Sequence, residues 1–194
     1  MELKKKIINE TQKLFSLKGY MSTSIHDILV AGKTSKGGLY NYFNSKEELF
    51  YTVLDQSKKN WRERCFFDLD QIKSPIKKLM RFLENYRDLY LTDSETFPGG
   101  CIFVNLSVEL DDQNVLLAKK VENGFVGLKK WIERLLDESK KQKELVGGTY
   151  TSDLTEIIFS VILGAAVSYG QDKSSANLNR TMNALINYIK TYVQ

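Results

Sequence analysis

The chain has 194 residues, 42% hydrophobic and 27% charged, with twelve glycines and two prolines. That composition excludes a disordered or collagen-like chain, and the scarcity of turn residues favours an all-α fold. The net charge is +4, but residues 1–46 hold eight lysines against three acids, a net of +5, so the rest of the chain carries −1. A basic first quarter on a near-neutral body points to an anionic partner there or to a solvated lysine face, and charge alone does not separate the two.

The two cysteines, Cys65 and Cys101, lie far apart and form no Cys-x-x-Cys pair. Neither a disulfide framework nor a zinc site is expected, and reduced thiols are the default. No His, Cys, Asp and Glu cluster at metal-ligand spacing, so no metal and no cofactor is expected. The opening MELKKKIINETQKLF lacks the apolar core of a secretory signal. The longest apolar stretch, IIFSVILGAAV at 157–167, falls short of the ~20 residues that span a bilayer. A cytoplasmic protein with no membrane partner is the expectation.

In chain order, residues 2–18 place Leu3, Ile7, Thr11 and Leu14/Phe15 on one stripe, which predicts an amphipathic helix stopped by Gly19. Ser22-Thr23-Ser24 offers capping oxygens ahead of IHDILVA, a short second helix. Gly32-Lys33 makes a turn, and Thr34 can cap a third helix over about 35–41. Ser45, with Glu48 three residues on, forms a capping box that opens a long fourth helix, about 45–65. Ser74-Pro75 starts a block running to about Asp93, and DSETFPGG (93–100) is a loop. Further helices are predicted over about 101–110, 114–143, 154–170 and 178–193, about nine in all.

Helix, short helix, tight turn, short helix is the layout of a helix-turn-helix unit, whose last helix enters the major groove. At about 100° per residue, Leu39 and Phe43 fall on one side of the third helix and face the core. Gly37, Gly38, Tyr40 and Asn41 are left for solvent. Each helix-interior glycine costs roughly 0.8–1.0 kcal/mol relative to alanine, so two together imply a close approach to the backbone. Phosphates and base edges fit that requirement. Tyrosine hydroxyls donate to phosphate, asparagine pairs with a base edge, and Lys36 and Lys46 add positive charge. A glycine hinge in a helical hairpin is the alternative.

The run TSIHDILVAGKTSKGGLYNYFNSKEELF (23–50) closely resembles the DNA-binding domain of TetR-type transcriptional regulators. The family pattern Ser-Lys-Gly-x-Leu-Tyr-x-x-Phe, then Lys-Glu-x-Leu, is met by Ser35 through Phe43 and by Lys46 through Leu49. The resemblance covers residues 3 to about 60. It implies that Ser24 and His26 lie near the groove edge, although His26 is also readable as an exposed residue without a role. It further implies that Ser35, Lys36, Gly37, Gly38, Tyr40, Asn41 and Tyr42 face DNA and that Lys46 contacts a phosphate. The family commonly has Ala-Gly-Val in the turn, where this chain has Gly32-Lys33-Thr34, so Lys33 is expected to take the left-handed position. The implied layout is a DNA-binding unit over 1–46 (helix-turn-helix about 23–43), the connecting helix, and an effector-binding and dimerisation body over 66–194.

Residues 157–170 are apolar almost all round and rich in small residues, as in a helix shared with a second chain, and 178–193 offers a partner face. A homodimer reading a palindromic double-stranded DNA site is therefore expected. Candidate effector-cavity aromatics are Trp61, Phe66, Phe67, Phe82, Tyr86, Tyr90, Phe103, Phe125 and Trp131; such residues also serve as plain core. Cys101 follows two glycines at a predicted helix start, where the helix dipole would stabilise a thiolate. A thiol sensor and a small buried core residue are both open readings. HExxH, a Walker P-loop and GxSxG are absent, and the lone histidine stands in the N-terminal motif, so an enzyme is not expected. The expected function is a transcriptional repressor released by a small-molecule effector of unread identity; the alternative is a helical small-molecule carrier without DNA function.

Overall fold

The structure, a computed structural model, describes residues 2–194. Nine α-helices form among these residues, with one isolated antiparallel bridge, Leu145 to Val193. The helices are α1 (Glu2–Lys18), α2 (Ile25–Gly32), α3 (Lys36–Tyr40), α4 (Lys46–Cys65), α5 (Pro75–Asn85), α6 (Ile102–Leu110), α7 (Val115–Lys141), α8 (Thr151–Asp172) and α9 (Ser175–Lys190).

Side-chain caps start most of them. Ser24, Ser35, Ser45, Ser74, Asn114 and Ser174 each accept a hydrogen bond from the backbone N–H three residues on, satisfying a donor the helix leaves free. Two caps differ from expectation. Ser35, not Thr34, caps α3, so that helix starts one residue later. At α4, Ser45 accepts from Glu48 N at 3.0 Å, but the Glu48 carboxylate reaches past Ser45 to Asn44 N at 2.7 Å and Asn44 Nδ2 at 2.9 Å. The amide side chain of Asn44 gives that carboxylate a second donor, which Ser45 does not offer.

The block predicted to reach Asp93 is α-helical only to Asn85; Tyr86–Leu91 is a π-helical turn. There the buried Asn85 amide donates to Cys65 O at 3.2 Å and Phe67 O at 2.8 Å, tying this helix to the end of α4. Tyr86 and Tyr90 both point inward, ring centroids 5.5 Å apart. The last two helices begin three residues before their predicted starts, α9 because the Ser174 cap precedes its first apolar residue, while α8 starts after Tyr150 without a side-chain cap.

Ile7, Phe15, Ile28, Leu39, Phe43, Leu49 and Phe50 are fully or nearly fully buried and belong to one core cluster. Burying a side chain of this size stabilises by about 1.5–3 kcal/mol. α7, α8 and α9 pack in succession at the other end, with α5 against α7. The helix around the apolar stretch 157–167 has 22 residues, long and apolar enough by length and composition to cross a membrane, which corrects the short-stretch reading above. In the fold its Leu154, Ile158, Ile162, Ala165 and Ala166 are buried within the protein.

Candidate nucleic-acid interface and internal cavity

The turn between α2 and α3 is closed by Lys33, whose φ of 49° and ψ of 53° are left-handed, as its position requires. A non-glycine residue there costs roughly 1–2 kcal/mol. Thr34 N donates to Leu29 O at 3.0 Å and Lys33 N to Val30 O at 3.1 Å, which satisfies the last carbonyls of α2 and sets the entry to α3.

α3 is a single turn and a half, too short to persist alone. Leu39 and Phe43, each 2% exposed, seat it on the core. Lys36, Gly37, Tyr40 and Asn41 are then exposed, and Gly38 and Tyr42 are half-buried. The two glycines differ. A Cβ at Gly37 would meet only Ser35 Oγ, at 3.9 Å, whereas one at Gly38 would collide with Thr34 Oγ1. Gly38 therefore answers to its own turn, and Gly37 leaves the backbone open to an incoming surface.

Ser24 and His26 are exposed at the start of α2. Ser24 is occupied as the cap: its Oγ accepts from Asp27 N at 3.1 Å and donates to Asp27 Oδ2 at 2.7 Å. Lys18 Nζ, 2.8 Å from Asp27, and then Ser24 hold the Asp27 carboxyl well below the usual carboxylate range. Lys46, at the first position of α4, stands 4.2 Å from the Tyr20 ring centroid. Burial pushes its ammonium down, while the Glu109 and Asp27 carboxylates pull it up.

That glutamate belongs to a clamp the sequence did not disclose. Glu109 accepts from Tyr20 N at 2.6 Å and Met21 N at 2.9 Å. Ser16 Oγ accepts from Gly99 N at 2.9 Å, and Asn105 Nδ2 donates to Ser16 O at 2.9 Å. A Cβ on Gly99 would overlap the Ser16 carbonyl, so that glycine is required by the close approach. The end of α1 is thus held by the 99–109 segment.

The same segment forms part of a cavity of about 460 Å³. Of the predicted aromatics, Trp61, Phe66, Tyr86, Phe103, Phe125 and Trp131 line it. Phe82 and Tyr90 do not: Phe82 is wholly buried behind Trp61, Phe66 and Trp131, and Tyr90 behind Cys101. Phe67 is 57% exposed, outside the lining. Missed by the sequence reading were Gly124 and Gly127 of α7, and the cations Lys58, Arg62 and Arg134. Two glycines in a long helix were the available signal.

Cys101 is on the wall, 4% exposed, with the Tyr90 hydroxyl 3.5 Å from its Sγ. Burial pushes its thiol pKa up; hydrogen bonds from Tyr90, the Val104 N–H and Tyr86 pull it down and lose. Burial is thus the larger influence on this thiol and works against the thiolate that a helix start would favour. No group of three or more metal-ligating side chains occurs among the described residues.

Two family models match the chain: one described as bacterial regulatory proteins, tetR family, over residues 7–53, and one as tetracyclin repressor-like, C-terminal domain, over 75–185. The chain is 35% identical over 132 residues to an uncharacterized HTH-type transcriptional regulator in the lacX 3' region of Lactococcus lactis subsp. lactis, spanning 66% of this chain and 65% of that one. It is 30% identical over 128 residues to the HTH-type transcriptional regulator QacR of Staphylococcus aureus, spanning 65% and 66%. These matches thus cover just under two thirds of either relative. A TetR transcriptional regulator from Chloroflexus aurantiacus superposes with a TM-score of 0.88 at 26% identity, over 99% of this chain and 96% of that one. The regulator CifR, solved as a cysteine mutant with 26-bp double-strand operator DNA, shares the fold at a TM-score of 0.81 and 18% identity, over 94% of each chain.

Proposed function

This chain belongs to the TetR family of bacterial regulatory proteins, and from that membership we propose that it is a homodimeric transcriptional repressor, released from a palindromic operator by a small-molecule effector. The observation that carries the reading is α3. Leu39 and Phe43 lock it down, and its outer face offers Lys36, Gly37, Tyr40 and Asn41 without a bulky side chain between them. Such a face suits a major groove, with Tyr40 and Lys36 on phosphates and Asn41 toward a base edge. Ser35, Gly38 and Tyr42 shape that helix, Ser24 and His26 border it, and Lys46 at the head of α4 meets the backbone.

On the outside of α8, Ile157 and Val167 are 39% and 43% exposed, and a Cβ at Gly164 would meet nothing within 4 Å. A second copy laid against this face would bury it, and the small residues allow close helix approach. Two-fold symmetry then makes the DNA site palindromic. A second chain, rather than lipid, covers this apolar face. A cytoplasmic location follows from the DNA partner.

Cavity and clamp share the 99–109 segment, so an effector that prefers a displaced position of that segment lowers the DNA-competent population. Cys101 is assigned to the cavity wall. The test is selection of bound duplexes from a random DNA library, run beside Tyr40→Ala. A palindrome enriched by the parent and lost in the variant, with affinity falling steeply as salt rises, supports the reading. No enrichment at low salt removes it and leaves the carrier alternative.

A further inference from the structure

Resting on the effector reading above, we propose that the cavity takes an aromatic organic anion. Its wall is one-sided in charge. Lys58 and Arg62 on α4 and Arg134 on α7 line it, all three solvent-exposed, and no aspartate or glutamate does among the described residues. Asp55 stands 3.7 Å from Lys58 and Glu138 stands 3.9 Å from Arg134, long separations from partners outside the lining. Arg62 forms no ion pair among the described residues. Its guanidinium stands 5.3 Å from the centroid of Phe66, itself a cavity ring.

Aromatic walls alone do not choose an anion, because ring faces attract cations. Three cations around one space reverse that preference. Each repels a cationic ligand and attracts an anionic one, and the effect grows as the ligand displaces water. The Phe66 ring lies 5.5 Å from Trp61 and 4.9 Å from Trp131, a continuous surface against which a flat ring system can lie. Arg62 then supplies parallel N–H donors that fit a carboxylate or sulfonate. On α7, the exposed Gly124 and Gly127 line the cavity, and a Cβ at either would meet nothing within 4 Å, so the wall is open at these positions. The cavity volume lies within the roughly 300–1,000 Å³ of small-molecule sites.

Both tryptophans of the chain, Trp61 and Trp131, line the cavity, so energy transfer from tryptophan to a bound fluorophore reports occupancy of this site. The probes are 8-anilinonaphthalene-1-sulfonate, its uncharged counterpart N-phenyl-1-naphthylamine, and 1-naphthylmethylammonium as a competitor. The sulfonate should bind at least about tenfold more tightly than the uncharged probe, and the ammonium should not displace it. Arg62→Met should weaken the sulfonate about 10- to 100-fold, the range for a lost hydrogen bond to a charged group, and leave the uncharged probe unchanged. Gly124→Leu, whose side chain enters empty space, should abolish transfer to both probes without lowering the melting temperature.

Equal or tighter binding of the uncharged or ammonium probe overturns the proposal. So does an unchanged ratio in Arg62→Met, or no transfer from any probe. Operator binding in the same samples separates this from the release reading. Anion preference with DNA still bound at saturation keeps the ligand class and removes release by this site. Release by the ammonium alone does the reverse.

Discussion

Two helices carry closely spaced glycines, α3 at 37 and 38 and α7 at 124 and 127, and their surroundings differ. In α3 the pair is divided: Gly38 makes room for Thr34 of the same turn, and only Gly37 opens outward. In α7 neither glycine relieves any contact, and both face the space lined by Trp61, Phe66 and Trp131. A glycine inside a helix is unfavourable on propensity alone, and at Gly37, Gly124 and Gly127 no close contact within the protein offsets that cost. The first region clears a convex face, which suits a groove, and the second a concave one, which suits a small ligand.

The largest expected effect separates the regions outright. Leu39→Ala should cost about 2–5 kcal/mol in denaturant unfolding, because a buried side chain that seats a five-residue helix is removed. Duplex binding should disappear while probe uptake by the cavity survives. If cavity binding is lost as well, the two regions are a single cooperative unit and the comparison fails.

A medium effect tests the glycines directly. Gly37→Ala and Gly124→Ala should each raise stability by up to about 1 kcal/mol, since neither new methyl group meets a close contact. Gly37→Ala should weaken duplex binding severalfold and leave the cavity alone, and Gly124→Ala should do the opposite. Fluorescence anisotropy on labelled operator and tryptophan energy transfer read the two arms.

The smallest effect concerns pH. Asp27 is held below the usual carboxylate range by Lys18 and Ser24, so folding favours its ionised form. Its contribution is fully present above the ordinary aspartate pKa of about 3.9 and is lost as pH falls through the lower folded value. The melting-temperature difference between the parent and Asp27→Asn should therefore be constant near neutrality and shrink below about pH 4. The pair is exposed enough that the difference should be small at high salt. A difference that grows on acidification would refute the assignment.

Much of this molecule is legible from local rules. Apolar spacing near 3.6 and the Ser, Asn and Pro residues ahead of most runs locate the helices, since capping and periodicity act within four residues. The outward face of α3 follows from the same arithmetic applied to Leu39 and Phe43. Lys33 in the left-handed turn follows from the displaced Gly32. Aromatic content, by contrast, does not distinguish a ring on a cavity wall from one behind it. Phe66 and Phe82 are alike in sequence, yet one lines the cavity and the other is sealed beneath it.

Sequence by itself determined an all-α chain, its helix-turn-helix and the chemistry of the face that helix presents. Only the tertiary structure decided that Glu109 holds the turn at Tyr20, that Gly99 lies against Ser16, and that Arg62, Arg134 and the α7 glycines converge on one space. The reason is the range of the forces involved. Helix formation and capping are settled by near neighbours in the chain, whereas the meeting of α4, α6 and α7 depends on how every buried side chain between them packs.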